Sequence, residues 1–249
     1  MKQYTYLLID FFTVIVPFMA SFHPKLMFWK NFKAFFPANI VISLAYILWD
    51  VWFTDRGVWG FNPDYLVGVY LFNLPIEEVL FFICIPYSCL FSYHCFGVWK
   101  EKNLRNYKTD LISVVLILLS VSLAGFFYDR MYPMVSFSLF AVLVAYLAFV
   151  LKPKWLGQFY FTYLIMIIPF LIVNGILTGT GLDAPIVWYN SEQIIGLRIK
   201  TIPVEDVFYG MGLIGFNLLL YEGLLAKFKG SKVADYHAPS QDFKSTTTI

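Results

Sequence analysis

Charge is what this sequence has least of. Only 14% of its 249 residues are charged, 16 acidic against 18 basic, whereas a water-soluble domain carries about a quarter. An ordinary soluble globule is therefore excluded. The basic residues form no run dense enough to follow a phosphate backbone, and at a net charge of +2 no nucleic-acid partner is expected. Cys84, Cys89 and Cys95 share one apolar stretch without C-x-x-C spacing, which reads as buried thiols and not as a disulfide framework. His23, His94 and His237 are too scattered for a three-ligand metal site. No glycine-rich dinucleotide fingerprint, P-loop or G-x-S-x-G elbow occurs, so no cofactor is expected.

Apolar runs are what the chain has in abundance. Hydrophobic residues make up 59% of it, and the mean hydropathy is +0.69. Seven segments are long and apolar enough to span a bilayer, near 4–21, 35–54, 75–97, 111–128, 132–151, 156–178 and 203–226. The expected fold class is all-α, a polytopic membrane protein of seven transmembrane helices. The first segment has neither the basic start nor the small-residue cleavage site of a signal peptide, and it is expected to remain in the mature protein. Lys2, Arg56, Arg130, Arg198 and Lys200 fall on one side of these spans, and the other thirteen basic residues fall on the opposite side. The positive-inside rule then predicts a multi-pass protein of the cell membrane with its amino terminus outside and its carboxyl terminus cytoplasmic. Residues 227–249, mostly polar, read as a disordered cytoplasmic tail. The 27 Phe, 17 Tyr and 7 Trp exceed what interfacial belts use, which points to aromatic packing or to a large apolar ligand.

An internal repeat organises the chain. LPIEEVLFF around Pro75 recurs as IPVEDVFYG around Pro203, an offset of 128, and Gly68 and Gly196 precede the two prolines by the same distance. Upstream, Tyr46, Asp50, Thr54 and Gly57 match Phe170, Asn174, Thr178 and Gly181 at an offset of 124. The division follows: a first three-span copy over 1–97, a connector with the fourth span over 98–131, and a second three-span copy over 132–226. Four spans separate the starts of the copies, so both cross the membrane in the same direction, as parallel 3+1+3 repeats. Both P-x-E-[ED] motifs then lie near the outer face.

Ionisable groups inside spans are costly and default to functional candidates. These are Asp50, Glu77, Glu78, Glu205 and Asp206, with Asn174 standing where the first copy has Asp50. Proline followed by acids also starts ordinary helices. A second motif at equivalent depth, beside an in-membrane Asp or Asn, exceeds what capping needs. Adjacent acids point about 100° apart on a helix, so one member of each pair faces the centre. Glu77 shares a face with Phe81, and Glu205 with Tyr209. A carboxyl in such a desolvated cluster can keep its proton near neutrality. It can then protonate a carbon–carbon double bond, and aromatic faces can stabilise the carbocation without quenching it. Trp49, Trp52, Phe53, Phe81 and Tyr209 are available for that role.

These residues resemble the small integral-membrane lycopene cyclases built from two related three-span units. The units are separate polypeptides in some bacteria and are fused to a phytoene synthase in fungi. The resemblance rests on WDVW from Trp49, GVWGFNP from Gly57, LPIEEVLFF from Leu74, NGILTG from Asn174, GLRIKTIPVEDVFYG from Gly196 and YEG from Tyr221, and covers about residues 1–226. It implies conversion of the ψ end groups of lycopene to β-ionone rings, giving γ-carotene and then β-carotene without net redox change. An acid among Glu77, Glu78, Glu205 and Asp206 protonates C2, with Glu77 or Glu205 as the first choice. The C5=C6 bond attacks the C1 cation and a carboxylate removes the C6 proton. Asp50 and Asn174 position the acids, while Tyr46, Trp49, Phe81 and Tyr209 contact the substrate. The implied partners are lycopene and other apolar carotenoids in the bilayer, membrane lipid, and upstream carotenoid enzymes.

Three other readings stand beside it. A carotenoid hydratase, or a cyclase of another carotenoid, uses the same acid step. A small-molecule transporter can also be built from parallel three-span repeats, but its polar groups should gather at midplane. A retinal protein needs a lysine inside a span, and the last span has none before Lys227.

Overall fold

In the computed structural model, residues 2–99 and 105–236 are described. Among the described residues there are seven long helices: α1 Thr5–Ala20, α2 Phe32–Asp55, α3 Ile76–Trp99, α4 Tyr107–Phe126, α5 Met131–Ala145, α6 Leu156–Leu177 and α7 Glu205–Tyr236. The wider α5 span runs on through a π-helical stretch to Leu151, and a 3₁₀ turn from Phe28 leads into α2. Each of the seven segments is long and apolar enough to span the membrane, so this is a multi-pass membrane protein. One boundary differs from the sequence reading. The last helix continues through Tyr236, because FKGSKVADY contains no proline and its single glycine is tolerated within a helix. Residues 237–249 of the expected disordered tail lie outside the described residues.

Within each copy the first helix packs on the third, α1 on α3 and α5 on α7. Between copies the middle helix of one packs on the third helix of the other, α2 on α7 and α6 on α3. α4 lies against α5 on the outside of this arrangement. Prolines inside the spans leave carbonyls without their usual amide, and neighbouring helices supply donors. Pro86 frees the carbonyl of Phe82, which accepts from Asn39 Nδ2 at 3.1 Å and Ser43 Oγ at 2.7 Å. Pro17 likewise frees the carbonyl of Thr13, and Ser88 Oγ donates to it at 2.9 Å.

The loops before α3 and α7 hold short strands that apolar periodicity did not predict. In the first copy β2 (Tyr70–Leu71) pairs with β3 (Leu74–Pro75), and in the second β5 (Arg198–Ile199) pairs with β6 (Ile202–Pro203) in the same register. Gly68 and Gly196 precede the hairpins at φ 86° and 89°, a left-handed backbone that glycine adopts without strain. Between the copies β1 (Trp59–Phe61) runs antiparallel to β4 (Val187–Tyr189), centred on Gly60 opposite Trp188. These central residues are 128 apart, the offset of the repeated motif, so each strand pairs with its own repeat equivalent. Gly60 is required there, since a Cβ would run into the Trp188 ring.

Candidate functional site

The paired strands β1 and β4 roof a cavity of about 760 Å³ that descends between α1, α3, α6 and α7. Its walls are apolar, and its charged side chains are Asp50, Glu78 and Asp206. The two P-x-E-[ED] motifs behave alike. Glu77 Oε1 accepts from the amide of Val67 at 2.6 Å, and Glu205 Oε1 accepts from the amide of Ile195 at 2.5 Å. Each first acid thus anchors the backbone just before Gly68 or Gly196, and its remaining oxygen is buried without a partner. Each second acid, about 100° further round the helix, points into the cavity. The pair of acids named first on the sequence, Glu77 and Glu205, therefore lies against loop amides, and Glu78 and Asp206 meet in one space.

The two cavity acids are hydrogen-bonded differently. Asp206 Oδ1 accepts from Tyr132 Oη at 2.5 Å, and Oδ2 accepts from Asn174 Nδ2 at 2.7 Å and Tyr189 Oη at 2.9 Å. With donors on both oxygens, this group is solvated as an ionised carboxylate. Burial first, and the adjacent Asp206 second, hold the Tyr189 hydroxyl well above the ordinary tyrosine value, so Tyr189 remains a donor. Glu78 Oε2 accepts from Tyr6 Oη at 2.6 Å. Where the second copy offers Asn174, the first offers another acid, Asp50, whose Oδ1 accepts from Trp59 Nε1 and whose Oδ2 is buried without a partner.

Aromatic rings surround these carboxyls. Trp59 lies 5.0 Å from Tyr132 between ring centroids and 6.2 Å from Tyr209, while Tyr132 and Tyr189 stack at 5.9 Å. Phe81 and Tyr209 line the cavity as well, together with Asp50 and Asn174. Tyr46 and Trp49 sit one layer behind, packed on Tyr209 at 5.2 and 4.9 Å. They back the cavity wall without lining it.

Sequence reasoning missed several contributors. Tyr6 and Tyr132 are 126 residues apart, near the starts of the first helices of their copies, and make equivalent bonds to the second acids. Their constant offset was the available signal. One turn further, Asp10 and Ser136 keep the same spacing. Asp10 is 2% exposed with both carboxyl oxygens unpartnered, and Ser136 Oγ is also buried without a partner. Trp59 and Tyr189 come from the loop strands; Trp59 lies in GVWGFNP, one of the segments behind the resemblance, but neither residue was singled out for a role.

Comparison with known proteins bears on this geometry. The family model described as lycopene cyclase matches residues 3–96 and 129–224, the two repeated segments. The chain is similar to the bifunctional lycopene cyclase/phytoene synthase of Aspergillus oryzae, with 31% identity over 88 residues, 33% of this chain and 15% of that protein. It is also similar to the bifunctional lycopene cyclase/phytoene synthase of Podospora anserina, with 39% identity over 49 residues, 19% of this chain and 8% of that protein. The matched regions thus span less than a fifth of these relatives' own length. No solved structure matches.

Proposed function

The chain belongs to the lycopene cyclase family, and from that premise we propose that it is a lycopene β-cyclase, closing ψ end groups to β-ionone rings by acid catalysis inside the membrane. The observation carrying this reading is the convergence of Glu78 and Asp206, one from each copy, on a single apolar cavity with opposite hydrogen-bond surroundings. Glu78 is the acid. Tyr6 donates to its Oε2, leaving Oε1 to carry the proton, and Asp50 beside it disfavours a second negative charge. Asp206, held by its three donors, is the base.

The steps follow from these roles. Glu78 protonates C2 of the end group, leaving a cation at C1. The C5=C6 π electrons form the C1–C6 bond and move the cation to C5. Asp206 then takes the C6 proton, and that C–H electron pair becomes the new C5=C6 double bond. Atoms and electrons balance without an oxidant or reductant, so the reaction is an isomerisation. Trp59, Tyr132, Tyr189 and Tyr209 present ring faces to the cation, and the apolar walls exclude the water that would quench it. Passage of the proton from Asp206 back to Glu78 across the cavity resets both groups. The three-span copies are the units that supply the acid and the base, with the amino terminus outside and the carboxyl terminus cytoplasmic. Apolar carotenoids and bilayer lipid are the partners, and contact with upstream carotenoid enzymes belongs to the same reading.

The test is expression in a host that accumulates lycopene. Red cells should turn orange, the product should have the mass of lycopene, and the Glu78→Gln variant should leave them red. A product heavier by one water per end group would assign a hydratase, and unchanged lycopene would overturn the reading.

A further inference from the structure

The hairpins before α3 and α7 share one backbone plan and carry opposite chemistry. Ile76 donates its amide to the carbonyl of Val69 at 2.9 Å, and Val204, at the equivalent position, donates to that of Leu197 at 3.0 Å. Both turns pass through a left-handed residue, Phe72 in the first and Lys200 in the second, each at φ 57°. From Tyr65 to Ile76 the sequence has no charge, and Val69, Tyr70, Leu71 and Phe72 are 55%, 49%, 42% and 78% exposed in succession. The second hairpin has Arg198 where the first has Tyr70, and Lys200 where the first has Phe72. Consecutive exposed apolar residues mark an interaction surface. A bulky residue at positive φ is an outlier that its surroundings have to sustain.

Hydrogen bonds set the depth of each turn. Asn73 Nδ2, next to Phe72, donates to the carbonyl of Val51 on α2 at 2.9 Å. Val51 lies four residues before the exposed Asp55 that ends α2, about 6 Å further into the span at 1.5 Å per residue. At that level α2 exposes Leu48 and Trp52, side chains suited to lipid. In the second copy Thr201 Oγ1 makes the equivalent bond to the carbonyl of Gly175 at 3.3 Å, two residues before α6 ends at Leu177, or about 3 Å. The first hairpin therefore carries an uncharged aromatic tip below the charged end of its helix, while the second brings two cations to a shallower point.

We propose that the β2–β3 hairpin is a bilayer anchor, with Tyr70, Leu71 and Phe72 inserted among the acyl chains of the leaflet beside it. Its partner is lipid hydrocarbon, which accepts apolar side chains and gives no reward to the cations of the second hairpin. The anchor also bears on the motif acids, because Val67, whose amide holds Glu77, is joined to the hairpin through Gly68 and Val69 alone. Lipid thus steadies the loop that holds Glu77 beside the inward Glu78.

The experiment uses the full chain in liposomes and two probes at the same position. Phe72→Cys should react with a membrane-impermeant maleimide about tenfold or more slowly than Asp64→Cys, since the hydrocarbon layer excludes a hydrophilic reagent. Asp64 is exposed in the same loop, so both thiols share one side of the vesicle, and native protein with Cys84, Cys89 and Cys95 gives the baseline. After unfolding in detergent the two added thiols should react alike. In Phe72→Trp the fluorescence gained over native protein should be quenched by lipids brominated along their acyl chains and left unchanged by aqueous iodide. Labelling of Phe72→Cys as fast as Asp64→Cys, or quenching by iodide in place of bromolipid, would put the hairpin in water and overturn the proposal. Protection from the maleimide without quenching by bromolipid would mean that protein, such as a second copy of the chain, covers the hairpin, and the lipid assignment would fall. None of these outcomes depends on the cyclase reading.

Discussion

The two copies hold the same backbone and surround their inward acids in opposite ways. In the second copy Asp206 receives hydrogen bonds from Tyr132, Asn174 and Tyr189. In the first, Glu78 receives one from Tyr6 and shares the cavity with Asp50 in place of an amide. Asp10, buried without a partner where the second copy has Ser136, adds a further carboxyl to the first. On the proposed reading, duplication supplied the frame, and divergence at a few polar positions suits one half to giving a proton and the other to taking it.

The sharpest way to break this comparison is to neutralise each acid in turn. Glu78→Gln should lower lycopene consumption by about 10²–10⁴-fold, the range for loss of a general acid, measured in lycopene-loaded liposomes. Asp206→Asn should also slow the reaction, but its distinguishing effect is on the product. With the base gone, the cation loses a proton elsewhere, and chromatography should show other double-bond isomers. Equal rate losses with identical products from both variants would mean that the copies are interchangeable. Making the first copy resemble the second is a milder change. Asp50→Asn should reduce kcat by about tenfold with KM little altered, near 1.4 kcal/mol of barrier, because an amide at that position solvates Glu78 as a carboxylate.

The equivalent tyrosines sharpen the contrast further. Tyr6→Phe removes the hydrogen bond to Glu78 and should cost about 1.5–3 kcal/mol of barrier, the usual worth of a bond to a charged or shared-proton group. Tyr132→Phe leaves Asn174 and Tyr189 on Asp206 and should cost less, read as the ratio of the two kcat values. The smallest effect is expected at the outer edge. There Lys2 pairs with Asp183, both exposed, and the Lys2 ammonium holds the Asp183 carboxyl below its ordinary value. A depressed carboxylate stabilises the fold above its unfolded pKa and loses that contribution as pH falls through the folded value. Exposure screens the pair, so Asp183→Asn should leave thermal unfolding unchanged at physiological salt.

Much of this frame was legible before the fold. Spans can be read because about 20 apolar residues cross a bilayer, and the seven helices lie within a few residues of their expected positions. The repeated P-x-E-[ED] motif marked the right helix starts. It could not say which acid of each pair turns inward, because that depends on the Val67 and Ile195 amides, which reach Glu77 and Glu205 only once the Gly68 and Gly196 loops have folded. The roles of Trp59 and Tyr189 were hidden for a similar reason. Their strands pair across the two copies, a long-range contact without local periodicity. The helical extension to Tyr236 was missed because polar composition was read as disorder in a segment with no strong helix breaker.

Leu8, Phe12 and Val16 on α1 and Ile172 on α6 line the cavity and are also exposed on the outer surface of the helices, so the gap between α1 and α6 changes what concentration means for this protein. On the proposed reading, a substrate arriving sideways from lipid never equilibrates with the enzyme through water, so the relevant abundance is its mole fraction among lipids. Adding empty vesicles that fuse with the loaded ones should slow the reaction as the polyene is diluted in the plane. Enlarging the aqueous volume should leave the rate where it was. The membrane then acts as a two-dimensional solvent whose composition sets the rate.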